Sequence, residues 1–294
     1  MTYPLNNQNS IDGISKTISL TQDNLKKLEV LAEMINTGSD EFLSEIELDK
    51  LSLKQELLYI NFAVVNSYSE AIFKLCSDLR PFPANVLLRS IIESFINTAY
   101  ILTHNSDKRA LLFSLDDSYY RKGLGNEIIT FLKKYPKFQK ENFNIEIFEQ
   151  GLNKIDEEIE MYKSKFGLVF SNKKEFERAY PSLIERAKAV DRRIGKPNFE
   201  HTYILVYRYL SEFGHLSMRG LDHFIKRDSG GNHEILASQH SDVDPVISMT
   251  YTIYLFFLDQ LKKRKLLRKD FPLGKFNKYW KDIFNPASKP INRS

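Results

Sequence analysis

A chain of 294 residues, 42% apolar and 27% charged, can bury a sizeable core, which excludes intrinsic disorder and points to a soluble globular protein. The single cysteine, Cys76, excludes an internal disulfide and fits a reducing compartment, where it reads as a small core residue. The formal net charge of +4 is unevenly spread: residues 261–294 hold eleven Lys or Arg against Asp270 and Asp282, a local excess of +9, leaving the rest of the chain at −5.

In chain order, the polar start Met1 to Ser15 lacks a basic-then-apolar signal, and no stretch reaches about 18 uninterrupted apolar residues, so a cytoplasmic protein with no membrane span is expected. With only 12 Gly and 10 Pro, the long intervals between them follow a 3.6-residue period, which predicts an all-α fold, a single multi-helix bundle. We divide the chain into a flexible N-terminal segment (1–20), a helical domain (21–270) and a basic, aromatic C-terminal segment (271–294). Helices are predicted over 23–36, 45–78, 83–103, 108–134, 145–165, 181–193, 199–225 and 244–268. Pro81 and Pro83 disfavour helix before them, Pro181 suits a first turn, and Gly195 with Pro197 separates the next pair. The polar stretch 226–244, with Ser229-Gly230-Gly231-Asn232 inside it, is a connector with room for a small hairpin built on Ile225 and Ile235-Leu236, and is long enough to act as a lid.

Two helices break the apolar pattern. In the 83–103 helix, apolar residues point in nearly every direction, which predicts a central, buried element. Arg89 and Glu93 sit inside that surround one turn apart, positioned to pair directly, and Tyr100 continues their face. A buried pair costs several kcal/mol per ion before attraction offsets it, so its presence signals a functional or a structural-registry need. In the 199–225 helix, Arg208, Ser211, Glu212, His215, Arg219 and Asp222 form a polar stripe of roughly 100°, while Tyr207 and Tyr209 flank Arg208 and would partly screen it. The mostly uncharged run from Tyr203 to Phe213 predicts a helix buried on more than half its circumference; the competing expectation is a solvated stripe.

His215 shares its helical face with both an Arg and a carboxylate. An imidazole of unperturbed pKa near 6.5 can move protons at neutral pH, and the planar fork of Arg208 can hold phosphate oxygens. Arg208, six residues, then His215 resembles the motif of the HEPN superfamily, all-helical proteins of bacterial and archaeal toxin and phage-defence systems. That resemblance implies a metal-independent RNase with Arg208, His215 and Glu212 as catalytic residues, no cofactor and no metal, RNA as substrate, a homodimer if the site is composite, and an antitoxin or other protein partner. Active members carry a polar residue after the Arg, where this chain has Tyr209, and Arg227 to His233 offers a second such spacing.

The chain also resembles an uncharacterised bacterial all-helical family with Arg-x-x-x-Glu on one helix and Tyr-x-x-Leu-Ser-x-x-x-His-x-Ser on another. Here these are Arg89-Ser-Ile-Ile-Glu93 and Tyr207-Arg-Tyr-Leu210-Ser211-Glu-Phe-Gly-His215-Leu-Ser217, over about 60–257. That resemblance implies that Arg89, Glu93, Ser211 and His215 form one internal polar cluster, which a non-enzymatic ligand-sensing or partner-binding module would also need.

Other chemistries have less support. Glu212-x-x-His215 lacks the second pair that a di-iron site requires, and Gly123-Leu-Gly125 lacks both a third glycine and a preceding strand. His233, His240, Asp242 and Asp244 could reach a metal from the loop, but scattered loop residues of this kind are ordinarily solvated. Lys262, Lys263, Arg264, Arg268 and Trp280 could grip a nucleic-acid backbone and stack on a base; the bland alternative is a solvated basic helix end.

Overall fold

The computed structural model describes residues 20–42, 50–103, 105–166, 175–176, 179–196, 198–214, 225–227, 233–235 and 243–285. Its helices are α1 (Gln22–Phe42), α2 (Leu53–Ser77), α3 (Pro81–Thr103), α4 (Ser106–Lys134), α5 (Ile145–Phe166), α6 (Leu183–Ile194), α7 (Asn198–His201), α8 (Arg208–Gly214), α9 (Asp244–Lys263) and α10 (Leu273–Tyr279). The expected all-α bundle is present, and so is a small hairpin: β1 (Ile225–Arg227) pairs antiparallel with β2 (His233–Ile235), Ile225 opposite Ile235. The second Arg-to-His spacing thus falls on cross-strand partners, Arg227 and His233.

The local signals explain the boundaries. α2 is capped at Ser52, whose backbone N–H donates to Gln55 Oε1 at 3.1 Å; the first part of the predicted 45–78 helix, residues 45–49, lies outside the described residues. It ends with Leu79 in a left-handed conformation (φ 56°) and Arg80 N–H donating back to the Leu75 carbonyl, which frees Pro81 to open α3. α9 stops at Lys263, five residues short of the prediction, because Lys265 turns left-handed (φ 58°) and returns Leu267 and Phe271 to the core. The residues after it are helical too. α10 and a π-helical turn (Trp280–Phe284) bury Phe276 and lay Tyr279, Trp280, Ile283 and Phe284 against the main core, so the described part of the C-terminal segment belongs to the bundle.

α3 is the central element, packed against α2, α4, α6, α8 and α9. Among the described residues it is also the helix long and apolar enough by composition to cross a bilayer; here half of that apolar stretch is buried within the bundle. The main core joins α1, α2, α3, α6, α9 and α10 through residues such as Leu31, Phe62, Ile92, Tyr254 and Phe276. A second, smaller cluster, including Leu111, Leu115, Ile159, Phe176 and Tyr180, sits where α4 meets α5. Cys76 is fully buried, and burial pushes its thiol up to about 12, so it is a protonated core residue at neutral pH.

One glycine is required by packing. Gly38 lies inside α1, where glycine costs about 1 kcal/mol relative to alanine. A Cβ there would stand 2.1 Å from the Tyr254 hydroxyl, which crosses from α9 to donate to Asn66 Oδ1 at 2.5 Å. Asn66 in turn is hydrogen-bonded to Ser39 and Glu70, so this node locks α1, α2 and α9. Gly38→Ala is expected to destabilise the protein by about 1–3 kcal/mol in chemical denaturation, although the same change at a free helix site stabilises. Combining it with Tyr254→Phe, which removes the clashing oxygen, should recover part of that loss.

Burial raises the phenols of Tyr180, Tyr251 and Tyr254 above the ordinary tyrosine value. Their folded pKa exceeds the unfolded value near 10, so the neutral forms stabilise the fold fully below about pH 10 and the benefit is lost as pH rises above it. Denaturation midpoints should therefore fall above about pH 10, with tyrosinate absorbance appearing together with unfolding.

Candidate functional site

α3 carries a polar stripe on its otherwise apolar surface: Arg89, Glu93, Asn97 and Tyr100 fall within an arc of about 80°. The helices packed on that side supply the partners. Arg89 Nε donates to Ser211 Oγ at 2.9 Å, and Arg89 Nη2 donates to the Tyr207 hydroxyl at 3.1 Å, with the guanidinium carbon 5.0 Å from the Tyr207 ring centre. The Tyr207 hydroxyl donates to Glu93 Oε2 at 3.2 Å, and Ser211 Oγ donates to the Tyr207 carbonyl at 2.8 Å. Tyr207 is thus the hub of the cluster, although sequence reasoning named it only as part of a motif and as an aromatic flanking Arg208. The available signal was its i, i+4 spacing to Ser211 on the helix facing α3.

Of the cluster implied by the family resemblance, Arg89, Glu93 and Ser211 are brought together through Tyr207 while His215 lies outside the described residues, and two details differ from the expectation. Glu93 is exposed and Arg89 half-buried, so the cluster lies at the rim of the bundle and bears a smaller desolvation cost than a buried pair. Arg89 and Glu93 do not pair directly; the Tyr207 hydroxyl stands between them. Burial is the main cause of the raised Tyr207 pKa, followed by the Glu93 charge, while Arg89 opposes both, so the phenol stays a donor to Glu93 at neutral pH.

The lower part of the stripe is held by α6. Arg186 Nη1 donates to Asn97 Oδ1 at 2.5 Å and Nε to the Pro181 carbonyl at 2.8 Å, with its guanidinium 3.9 Å from the Tyr180 ring centre. Tyr100 is not part of the Arg89 cluster. Its ring lies 3.9 Å beneath the Arg109 guanidinium, which also donates to the Tyr100 carbonyl at 2.7 Å.

The helix bearing Tyr207 and Ser211 runs through α7, a π-helical stretch (Thr202–Tyr207) and α8. It is anchored from α6 by the buried carboxylate of Asp191, which accepts the backbone N–H groups of Phe199 (2.9 Å) and Glu200 (2.7 Å). Wider π turns shift side chains relative to a 3.6-residue wheel and recur at functional positions. Here that shift and the shallow seating leave Ile204 (44%), Leu205 (58%) and Tyr209 (48%) exposed, which corrects the expectation of a helix buried on more than half its circumference. Arg208 is exposed as well, rather than screened by Tyr207 and Tyr209, and no described residue forms an ion pair with it. His215 lies outside the described residues, as do Arg219, Asp222 and the side chain of Glu212.

The candidate nucleic-acid residues at the basic end each have a partner within the chain. Lys262 Nζ donates to the carbonyls of Arg268 (2.7 Å) and Lys269 (2.6 Å), and Lys263 pairs with Asp259 at 2.6 Å. Arg264 bonds Gln260, Arg268 pairs with the buried Glu41, and Trp280 Nε1 donates to Thr252. These residues close the C-terminal turns of the bundle. Among the loop residues with metal-ligand chemistry, Asp244 instead pairs with Lys27 at 2.5 Å, and His240 and Asp242 lie outside the described residues.

The chain belongs to a family of unknown function (DUF5677), whose profile matches residues 55–233, a span containing the whole Arg89–Tyr207–Glu93–Ser211 cluster. No curated protein and no solved structure matches it significantly.

Removing only the bridging oxygen isolates the role of the hub. Tyr207→Phe is expected to lower stability by about 1 kcal/mol, read as a shift in the urea midpoint at constant slope. Arg89→Ala should cost more, since it strips partners from both Ser211 and Tyr207.

Proposed function

We propose that this member of an uncharacterised family is a HEPN-like, metal-independent ribonuclease, a toxin effector of bacterial defence acting as a homodimer in the cytoplasm, with Arg208 and His215 as its catalytic pair. The observation that carries this reading is the placement of Arg208: an exposed guanidinium, with no described residue paired to it, on a helix that Arg89, Tyr207 and Ser211 fasten to the central element. Such a fork is suited to phosphate, and an anchored helix holds it in a fixed place.

In this reading the RNA 2′-hydroxyl attacks the adjacent phosphorus while His215 takes its proton. Arg208 stabilises the charge on the phosphorane-like transition state, and the bond to the 5′ oxygen breaks as that oxygen is protonated by an acid of the site. The products are a 2′,3′-cyclic phosphate and a 5′-hydroxyl. Glu212 or Glu93 would orient the imidazole.

A second reading draws on the self-sufficiency of the cluster. Arg89 Nε and Nη2 are both satisfied within the chain, as they would be in a non-enzymatic helical module whose polar cluster fixes packing or responds to a small anion.

Wild type, Arg208→Ala, His215→Ala and Arg89→Ala compared for RNA cleavage, growth on expression and melting temperature separate the two. The ribonuclease reading expects Arg208→Ala and His215→Ala each to lose cleavage by about a hundredfold or more at unchanged melting temperature. Intact RNA with purified wild type, together with early melting of Arg89→Ala, would leave the module reading standing.

A further inference from the structure

The basic, aromatic chemistry that sequence reasoning placed at the C-terminal end occurs, unengaged, elsewhere. Beyond Tyr119, α4 contributes no residue to either core cluster. Its buried residues Ile129 and Leu132 belong instead to the distal α4–α5 hairpin, an arm of two helices. Ion pairs stiffen the base of that arm: Arg121 bridges Asp117 (2.7 Å) and Glu158 (2.9 Å), and Lys122 meets Asp156 at 2.5 Å.

At the tip, Phe131, Tyr135 and Phe138 form a triangle of rings with centres 5.2, 5.4 and 6.4 Å apart, and each ring is 39–47% exposed. Across the turn Phe143 is exposed to a similar degree, at 40%. Residues 128–145 hold Lys133, Lys134, Lys137 and Lys140 against Glu141, a local charge of +3, and all four lysines are exposed. Two of the ammonium groups lie beside the rings, Lys134 Nζ 5.2 Å from the Tyr135 ring centre and Lys137 Nζ 5.3 Å from that of Phe138. No described residue forms an ion pair with Lys134, Lys137 or Lys140.

We propose that the tip of the α4–α5 hairpin is a docking surface for single-stranded nucleic acid, with Phe131, Tyr135 and Phe138 as the stacking platform and Lys134, Lys137 and Lys140 on the phosphates. Mutually packed rings form a fixed platform, and cations at ring level match a strand whose phosphates flank its stacked bases. A membrane surface fits less well, because Tyr135 and Phe138 each carry a lysine at ring level, and seating those rings in hydrocarbon would desolvate the ammonium groups. The inference is independent of the Arg208 and His215 reading.

Fluorescence anisotropy of a labelled oligouridylate, measured across a salt series on the full-length His215→Ala protein, tests binding apart from cleavage. Adding Lys134→Ala and Lys137→Ala should weaken binding and reduce the salt slope by about 1.4, at about 0.7 per phosphate contact on a single strand. Phe138→Ala should weaken it roughly tenfold, in the range of one lost base stack, with little change in slope. All are exposed positions, and circular dichroism melts confirm that each variant folds. Unchanged affinity in the tip variants, or loss caused instead by Lys263→Ala, would overturn the proposal. So would binding to phosphatidylserine vesicles without binding to RNA, or tip-dependent self-association in its place.

Discussion

The constraint on which the rest of the structure depends is the burial of α3. A helix apolar on nearly all sides must be surrounded, and α2, α4, α6, α8 and α9 surround it. Yet this helix also carries Arg89, Glu93 and Asn97, whose polar groups cannot lie unpartnered against an apolar neighbour without a cost of about 1–3 kcal/mol each. The packing therefore turns the polar stripe toward helices that bring matching donors and acceptors: Tyr207 and Ser211 from one, Arg186 from another. The polar groups of the stripe are thereby matched by partners on two neighbouring helices.

The same arrangement makes the helix from Asn198 to Gly214 a presenter rather than a core element. One edge is tied to α3 by hydrogen bonds, its start is tied to α6 by Asp191, and its outer side, with Leu205, Arg208 and Tyr209, faces solvent. The π-helical turn lies between these ties, where a change of register decides which side chains point in and which point out. The structural cluster and the exposed Arg208 thus occupy two sides of one helix. Their roles are separable by mutation for that reason.

Charge at the two ends of the molecule is used differently although the composition is alike. At the C-terminal end the cations close turns and neutralise Glu41 and Asp259, and the aromatics fill the main core. At the tip of the α4–α5 hairpin the described residues bury neither the three rings nor the lysines beside them, so both remain on the surface. Composition counts charges and rings; only the surroundings tell whether they are already satisfied.

The sequence by itself determined the all-α class and the centrality of α3, and it left room for a hairpin near 226–244; the joining of Arg89, Glu93 and Ser211 in one cluster was implied only by a family resemblance. The class and the central helix follow from periodicity and from breaker residues, which are local in the chain, whereas the contact of Arg89 with Ser211 joins residues far apart in sequence. Tertiary structure decided that Tyr207 is the hub, that Glu93 and Arg208 are exposed, that Gly38 makes room for Tyr254, and that residues 273–284 return to the core. Each of these depends on a contact between segments distant in sequence or on a π-helical change of register, and a wheel drawn at about 100° per residue contains neither.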